Sequence, residues 1–370
     1  MKFTTNRETL LKAITIAQDI ITNKSPISIL SNVLLQTADN KVVVKCTNST
    51  VKVITSFGAE IEEEGELTVF CDKFLTVISS LPMGDVEIFN NGNEIVVQPL
   101  GKKIKFKIKT LAADKFPIVE ENNYDTAIEV SAKDFKNLIR NTIFAVSTDQ
   151  NRYIMTGCYL CKNDGCLTMV ATDGRRMSIC NCEGFDSDIV PAIIPIKMLS
   201  FLEKFGTDEG NIKIIITDKT FSVKSGNLEV STTLIDGQYP MWQKVVPSGL
   251  DHTLTVAKKE LEDAIKSACI MVQKNGRVQF IIDKNKVEIT SPETEMGSSK
   301  EEIEAVYEGE SVEIALNALY LSDILKVISA DNISIDFTFN EEKKVIKALI
   351  VRESGENKNN YIHIVMPMSV

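Results

Sequence analysis

Asp173 is the first residue here that could do chemistry. The segment Ala171-Thr172-Asp173-Gly174-Arg175-Arg176-Met177 sets a carboxylate, a glycine and two arginines side by side. Such a carboxylate could hold a divalent metal, but a site of that kind needs further oxygen ligands, and no second carboxylate motif accompanies it. The second candidate is the cysteine group Cys158, Cys161, Cys166, Cys180 and Cys182. A zinc site asks for two C-x-x-C pairs about 15–20 residues apart. Cys158 and Cys161 form one pair, Cys180 and Cys182 have the wrong spacing for the other, and Asn163-Asp164-Gly165 between them reads as a hairpin turn. The spacing therefore predicts small buried or half-buried thiols, reduced in a cytoplasmic setting. Two histidines, His252 and His363, are too few for a His-rich metal site or a two-histidine relay. There is no G-x-x-x-x-G-K-[ST] phosphate loop and no G-x-S-x-G elbow. The expectation is a protein with no cofactor, no metal and no catalytic residue. A carboxylate-based, metal-dependent α+β enzyme near Asp173 stays open as the alternative.

The elements around these residues repeat. Leu10, Ala13, Ile14 and Ala17 form a helical stripe; it returns about 125 residues later as Phe135, Leu138, Ile139 and Thr142, and again as Leu261, Ala264, Ile265 and Ala268. A second stripe, Phe74, Val77, Ile78 and Leu81, returns as Met198, Phe201, Leu202 and Phe205, then as Leu321, Ile324, Leu325 and Ile328. Thr5-Asn6-Arg7-Glu8 and Ser131-Ala132-Lys133-Asp134 resemble N-caps before the first two helices. Leu111 to Pro117 matches Leu234 to Pro240. Alternating segments such as Lys41–Lys45, Glu94–Val97, Ile104–Ile108, Ile212–Ile216 and Ile333–Phe337 predict strands, with turns at Asn91-Gly92 and Ser225-Gly226-Asn227. The acidic run Glu60–Glu66 reads as a solvated loop. The expected fold is α+β: three similar domains, each with two helices backed by antiparallel sheet, over residues 1–122, 123–250 and 251–370.

The 370 residues, 44% hydrophobic and 25% charged, suit an ordinary globular protein. The formal net charge of −10 disfavours a protein coated in basic surface for wrapping nucleic acid, though a local basic lining is compatible with it. No run approaches the ~18 apolar residues of a membrane helix, and the N-terminus lacks a signal pattern, so the expected location is the cytoplasm and no membrane partner is expected. Away from their apolar stripes the first helices carry Arg7 and Lys12, then Lys133, Lys136 and Arg140, then Lys258, Lys259 and Lys266. The second helices carry Lys73, then Lys197 and Lys204, then Lys326. Acidic residues share these helices, so the charges either solvate helix faces or make a basic lining on an acidic body.

Several motifs together resemble the bacterial sliding clamps, the β subunits of DNA polymerase III. They are the Thr172-Asp173-Gly174-x-Arg176 motif, Tyr239-Pro240 followed by Val245-Val246-Pro247, the terminal Met366-Pro367-Met368, the opening Met1-Lys2-Phe3-Thr4, and the segment Pro26 to Leu35. The resemblance implies a ring-shaped homodimer that encircles double-stranded DNA without reading sequence and tethers a polymerase to it. It implies a hydrophobic pocket on domains two and three for short peptides of the DNA polymerase III α subunit, the clamp-loader δ subunit and other clamp-binding-motif proteins. The matching positions are Met155, Thr172, Gly174, Arg175, Arg176, Met177, Pro240 and Val245, with Asn317, Tyr320, Ile364, Met366, Pro367 and Met368. It implies DNA contacts at Lys24, Lys73, Arg152, Tyr153 and Lys197. For the dimer it implies an edge strand of domain one, with Phe106 and Ile108, against a helix of domain three, with Ile270 and Met271. The chain departs from the family's pattern at Arg175, at Met241-Trp242 and at the Met368-Ser369-Val370 end, which bears on the choice of partner peptide.

Overall fold

A computed structural model describes residues 1–21, 28–272, 276–295, 297–340, 345–355 and 360–369. Lys24, expected to contact DNA, lies outside the described residues. Among the described residues there are six α-helices: α1 (Arg7–Ile20), α2 (Cys71–Ser80), α3 (Ala132–Thr142), α4 (Ile196–Phe205), α5 (Lys258–Met271) and α6 (Ala318–Val327). Every apolar stripe read from the sequence falls in one of them or at its C-cap. The stripe residues are buried apart from the half-buried Phe205. Asn6 caps α1 through its side-chain oxygen, which accepts from Glu8 N at 3.0 Å; Ser131 does the same for α3 with Asp134 N at 3.3 Å.

The threefold repeat shows itself in one backbone bond. The first residue of each leading helix donates its N–H to a carbonyl just beyond the following helix of its repeat: Arg7 to Gly84 at 2.9 Å, Ala132 to Gly210 at 2.9 Å, Lys258 to Asp331 at 2.8 Å. In the first and third repeats the side chain at this position is basic, and it caps the C-terminus of the second helix. Arg7 donates to the Ile78 and Ser79 carbonyls at 3.1 and 2.7 Å. Lys258 donates to the Ile328 carbonyl at 2.6 Å. The carbonyls at a helix C-terminus have no partners of their own and carry partial negative charge, so a cation there satisfies both needs. Arg7 and Lys258 therefore do not belong to a basic lining. Nor does Lys136, which is 9% exposed, while Lys204 pairs with Asp19 at 2.5 Å. Lys12, Lys73, Lys133 and Lys266 stay exposed.

The chain gathers into two compact units: Met1–Asp134 with Ser200–Leu234, and Phe135–Leu199 with Ile235–Val370. The first contains a 13-stranded antiparallel sheet, the second a 12-stranded one. Each sheet is continuous because the last strand of one repeat pairs with the third strand after the leading helix of the repeat before it. In the first unit Leu228–Thr233 pairs with Val51–Gly58, with Val230 opposite Val53. In the second, Tyr361–Val365 pairs with Arg176–Cys182, with Met177 opposite Ile364.

Two expectations fail locally. Glu60–Glu66 is not a loop: Glu60–Glu63 is a strand at the end of its sheet against Lys2–Thr4, and Gly65–Phe70 is the next strand. An edge strand tolerates a run of carboxylates because they face water, and one of them, Glu62, meets Lys2 at 2.8 Å. The segment read as a strand from Ile104 is paired only from Phe106, leaving Ile104 exposed. No described helix is long and apolar enough to cross a membrane.

Candidate functional site

The Asp173 segment is a turn built around its own side chains. Asp173 Oδ1 accepts from Arg175 N at 2.8 Å and Arg176 N at 3.0 Å, and Oδ2 meets Arg176 Nε at 3.2 Å. Thr172 Oγ1 donates to the Arg176 carbonyl at 2.7 Å and accepts from Gly174 N at 3.0 Å. Gly174 has φ +84°, where L side chains are strained, and a Cβ there would lie 2.9 Å from Arg152 Nη1. That guanidinium donates to the Asp173 carbonyl at 2.9 Å. Asp173 is thus committed to holding a loop, and the carboxylate-enzyme alternative has no support in this geometry.

Arg176 locks the turn to its surroundings. Its side chain is 10% exposed and bridges Asp173 and Asp323, the latter at 2.9 Å. It also donates to the Phe144 carbonyl and lies over the Tyr320 ring, 4.4 Å from the centroid. A planar guanidinium serves two carboxylates and an aromatic face together; an ammonium could not. Tyr320 is held above its usual pKa by burial first and by the Asp173 charge second.

The turn reaches the C-terminus through backbone. Met366 N donates to the Arg175 carbonyl at 2.9 Å, and Met368 N to the Ala315 carbonyl at 2.8 Å, with Pro367 between them. Asn317 caps α6 by accepting from Leu319 N at 2.9 Å. Beside Met366 opens a groove of about 570 Å³. Its apolar lining is Val245, Val246, Pro247, Leu250, Ala348 and Met366, and Lys244, Ser248, Thr338 and Lys347 supply the polar atoms. Under it lies a core that includes Met177, Trp242, Tyr239 and Ile364. A smaller hollow of about 160 Å³ is lined by Met155 and Pro240 together with Arg152 and Tyr153.

Of the expected pocket residues, then, Val245 and Met366 line the main groove, and Met155 and Pro240 line the small hollow. Met177 and Ile364 form buried floor, and Thr172, Gly174, Arg175 and Arg176 make the turn. Asn317 and Tyr320 belong to the start of α6. Arg152, expected at DNA, is anchored to this turn, while Tyr153 beside it is exposed; Lys197 is half-exposed on α4. Sequence reasoning missed Lys244, Val246, Pro247, Ser248, Leu250, Thr338, Lys347 and Ala348 as lining. Ala348 to Val351 are apolar in succession, so no alternation marked a groove face on Val345–Glu353, whose partner strand carries Ile364 and Val365.

The same turn exists in the first unit, about 125 residues earlier, which is one repeat period. Asn48 Oδ1 accepts from Thr50 N and Val51 N at 3.2 and 2.9 Å, Thr47 Oγ1 donates to the Val51 carbonyl at 2.9 Å, and Ser49 has φ +82°. It carries Thr50 and Val51 where the second unit has Arg175 and Arg176, so it lacks the guanidinium lock. The fold supplies the turn; the arginine side chains set one copy apart from the other.

The cysteines are ordinary core residues: burial pushes the Cys158 thiol up to about 12 and Cys161 to about 11, far from the thiolate that would bind metal. Cys166 and Cys182 are half-buried, and Asp164 and Gly165 make the expected hairpin turn with φ of 49° and 74°.

His363 sits within this core, fully buried. Its Nδ1 meets Ser178 Oγ at 3.0 Å, and Nε2 has no hydrogen-bond partner among the described residues. Burial pushes its pKa down from 6.5 to about 3. The unfolded chain takes up this proton below pH 6.5 and the native one does not until near pH 3, so stability is full above 6.5 and falls as pH drops. Urea unfolding at pH 5 should show about 2 kcal/mol less stability from this residue than at neutral pH. His363→Gln should flatten that slope; an unchanged slope would assign the acid sensitivity elsewhere.

Three family models match the chain in succession: the DNA polymerase III beta subunit N-terminal domain over residues 1–120, its central domain over 129–241 and its C-terminal domain over 243–369. The beta sliding clamp of Treponema pallidum (strain Nichols) is 34% identical over 375 residues, spanning 100% of this chain and 99% of the relative. That of Pseudomonas aeruginosa is 27% identical over 373 residues, spanning 100% of both. Among solved structures, a Pseudomonas aeruginosa sliding clamp (DNA polymerase III subunit beta) bound to griselimycin superposes with a TM-score of 0.92 at 26% identity over 100% of both chains. The DNA polymerase sliding clamp of Bacillus subtilis gives 0.90 at 26% identity, over 100% of this chain and 99% of the other.

Proposed function

The chain belongs to the β-subunit family of DNA polymerase III and is a DNA sliding clamp, and from that premise we propose how its residues do the work. Two copies close head to tail into a ring around duplex DNA. The observation that carries this reading is a strand seam used twice within the chain and open at both of its ends. By the repeat's own rule, the last strand of the first repeat, Phe106–Leu111, should pair with the third strand after α5, Lys300–Val306. Neither has such a partner among the described residues. Phe106–Lys109 is paired on one side only, with Glu94–Val97, and meets a second strand only at Thr110 and Leu111. Lys300–Glu304 is likewise paired on one side with Lys286–Thr290, and meets a second strand only at Ala305 and Val306. An open edge normally needs protection, and a second copy supplies it here.

Charge supports the same pairing. The first edge and its approach carry Lys102, Lys103, Lys105, Lys107 and Lys109; the second carries Glu301, Glu302 and Glu304. Opposite patches on the two ends favour heterologous closure and disfavour each end meeting itself. Helix α5 packs against the acidic strand, and its Ile270 is 79% exposed, a side chain suited to burial at that seam beside Met271. Phe106 is half-buried and Ile108 already buried within the chain, so the backbone edge rather than the Ile108 side chain makes the contact.

The three domains are 1–122, 123–250 and 251–370, a division supported by the three successive family matches. Lys24, Lys73, Arg152, Tyr153 and Lys197 contact the duplex, attracting phosphates without reading bases, so the ring slides. The Asp173 turn, the groove and the Met366-Pro367-Met368 tail receive short apolar-anchored peptides of the polymerase α subunit, the loader δ subunit and other partners. A tethered polymerase rebinds before it escapes, which gives processivity. The chain itself catalyses nothing, holds no cofactor, and works in the cytoplasm. The test is whether the protein stays on a closed circle of DNA and leaves a linear one.

A further inference from the structure

The groove beside Met366 is a positive spot on a negative protein. The chain has a net charge of −10, yet the groove is lined by Lys244 and Lys347 and, among the described residues, by no carboxylate. Both lysines are exposed. Neither has an ion-pair or hydrogen-bond partner for its ammonium among the described residues, unlike Lys2, Lys258, Lys286 or Lys300, which all have carboxylates within 4 Å. Arg175 adds a third exposed cation next to Met366, whose N–H its carbonyl accepts. The rest of the lining is mainly apolar, with Val245, Val246, Pro247 and Ala348 beside the hydroxyls of Ser248 and Thr338.

We propose that this groove selects acidic peptides, in which aspartate or glutamate side chains flank the apolar anchors and meet Lys244 and Lys347. The proposal rests on the groove being the partner-peptide site and names the class of peptide it prefers. An apolar wall alone would accept any sequence with suitable anchors. Two unpaired ammonium groups at its rim add a term that distinguishes acidic from neutral or basic flanks, and the acidic body around them repels carboxylates that land elsewhere. The phosphate backbone of DNA is the other polyanion the lysines could attract. The observations favour peptide, because most of the lining is apolar, Val245, Val246, Pro247, Leu250, Ala348 and Met366, and suits side-chain anchors better than a sugar-phosphate chain.

The experiment compares two fluorescein-labelled peptides with identical Leu and Phe anchors. In one the flanking residues are Asp, in the other Asn. Anisotropy titration of the full-length dimer at low salt should find the acidic peptide tighter by roughly 2- to 30-fold, since two exposed pairs contribute modestly each. The ratio should shrink as salt is raised. In Lys244→Ala/Lys347→Ala the ratio should approach one, and in Lys244→Glu/Lys347→Glu it should invert. Equal affinities in the wild type, with Met366→Ala weakening both peptides, would overturn the acidic preference and leave the docking site standing. A ratio unaffected by the lysine variants would also overturn it. If Met366→Ala and Val245→Ala leave both peptides unaffected, the docking reading itself fails. Displacement of labelled peptide by a short duplex, lost in the double alanine variant, would reassign the lysines to DNA.

Discussion

Reversing Lys103, Lys105 and Lys107 to glutamate should turn the proposed homodimer into monomers. These side chains lie on and just before the strand edge that is open along Phe106–Lys109 among the described residues, and the edge proposed to meet it carries Glu301, Glu302 and Glu304. Wild-type lysines there attract; three glutamates facing three glutamates repel. Like charges juxtaposed across an interface cost several kcal/mol, so the dimer should weaken by at least about a hundredfold. Intrachain losses are small by comparison, since Lys107 is 53% exposed and only loosely paired with Glu94 at 3.8 Å. Sedimentation equilibrium measures the outcome directly. Reversing Glu301, Glu302 and Glu304 to lysine in the same chain should restore the dimer, because the complementarity is then exchanged rather than lost. A triple variant that stays dimeric would remove this seam from the ring.

Arg176→Ala should damage both the fold and the site. The change removes a guanidinium that neutralises Asp173 and Asp323, holds the Phe144 carbonyl and covers the Tyr320 ring. It leaves the largely enclosed Asp173 without its cation and Asp323 with Lys326 alone, at 2.9 Å. Breaking a buried pair on one side costs about 3–5 kcal/mol, and the half-exposed Asp323 places this case near about 3 kcal/mol. The turn that positions Arg175 against Met366 N then loses its anchor, and peptide affinity should fall about tenfold or more. Adding Asp173→Asn and Asp323→Asn should return part of the stability by removing the stranded charges. It should not return peptide binding, because the turn is still unlocked. Urea melts and anisotropy titrations separate the two effects; an Arg176→Ala protein that keeps wild-type stability would deny the lock.

Much of this was legible in the sequence because burial has a period. Stripes such as Phe74, Val77 and Ile78 announce helices on their own, and their recurrence announces the repeat. The Thr172 to Arg176 turn was legible as a motif, but its purpose was not. A carboxylate beside a glycine and two arginines looks like a metal ligand until Asp323 and Phe144, distant in sequence, are seen to share Arg176. Arg7 and Lys258 looked like lining for the same reason: a helix face shows only that a cation points away from its own core. Which carbonyls it reaches depends on a second helix, in one case that of Ser79 in its last turn, in the other that of Ile328 just past its end. Glu60–Glu63 misled in the opposite sense. Its charges suggested a loop, while strand pairing at a sheet's end depends on backbone and leaves side chains free to face water. Lys347 was invisible as groove lining because its place there is set by the strand pairing that brings Val345–Glu353 beside the C-terminal strand.

If two copies of this chain enclose DNA rather than merely touch it, the topology of the DNA decides whether the protein stays bound. The protein is loaded with a clamp loader and ATP onto nicked circular plasmid, separated from free protein, and the plasmid is then cut once. A ring should remain on the intact circle and run off the linear product, with the loss blocked when the ends carry bulky protein caps. Equal loss from circle and line, or equal retention on both, would mean ordinary contact binding and no enclosing ring.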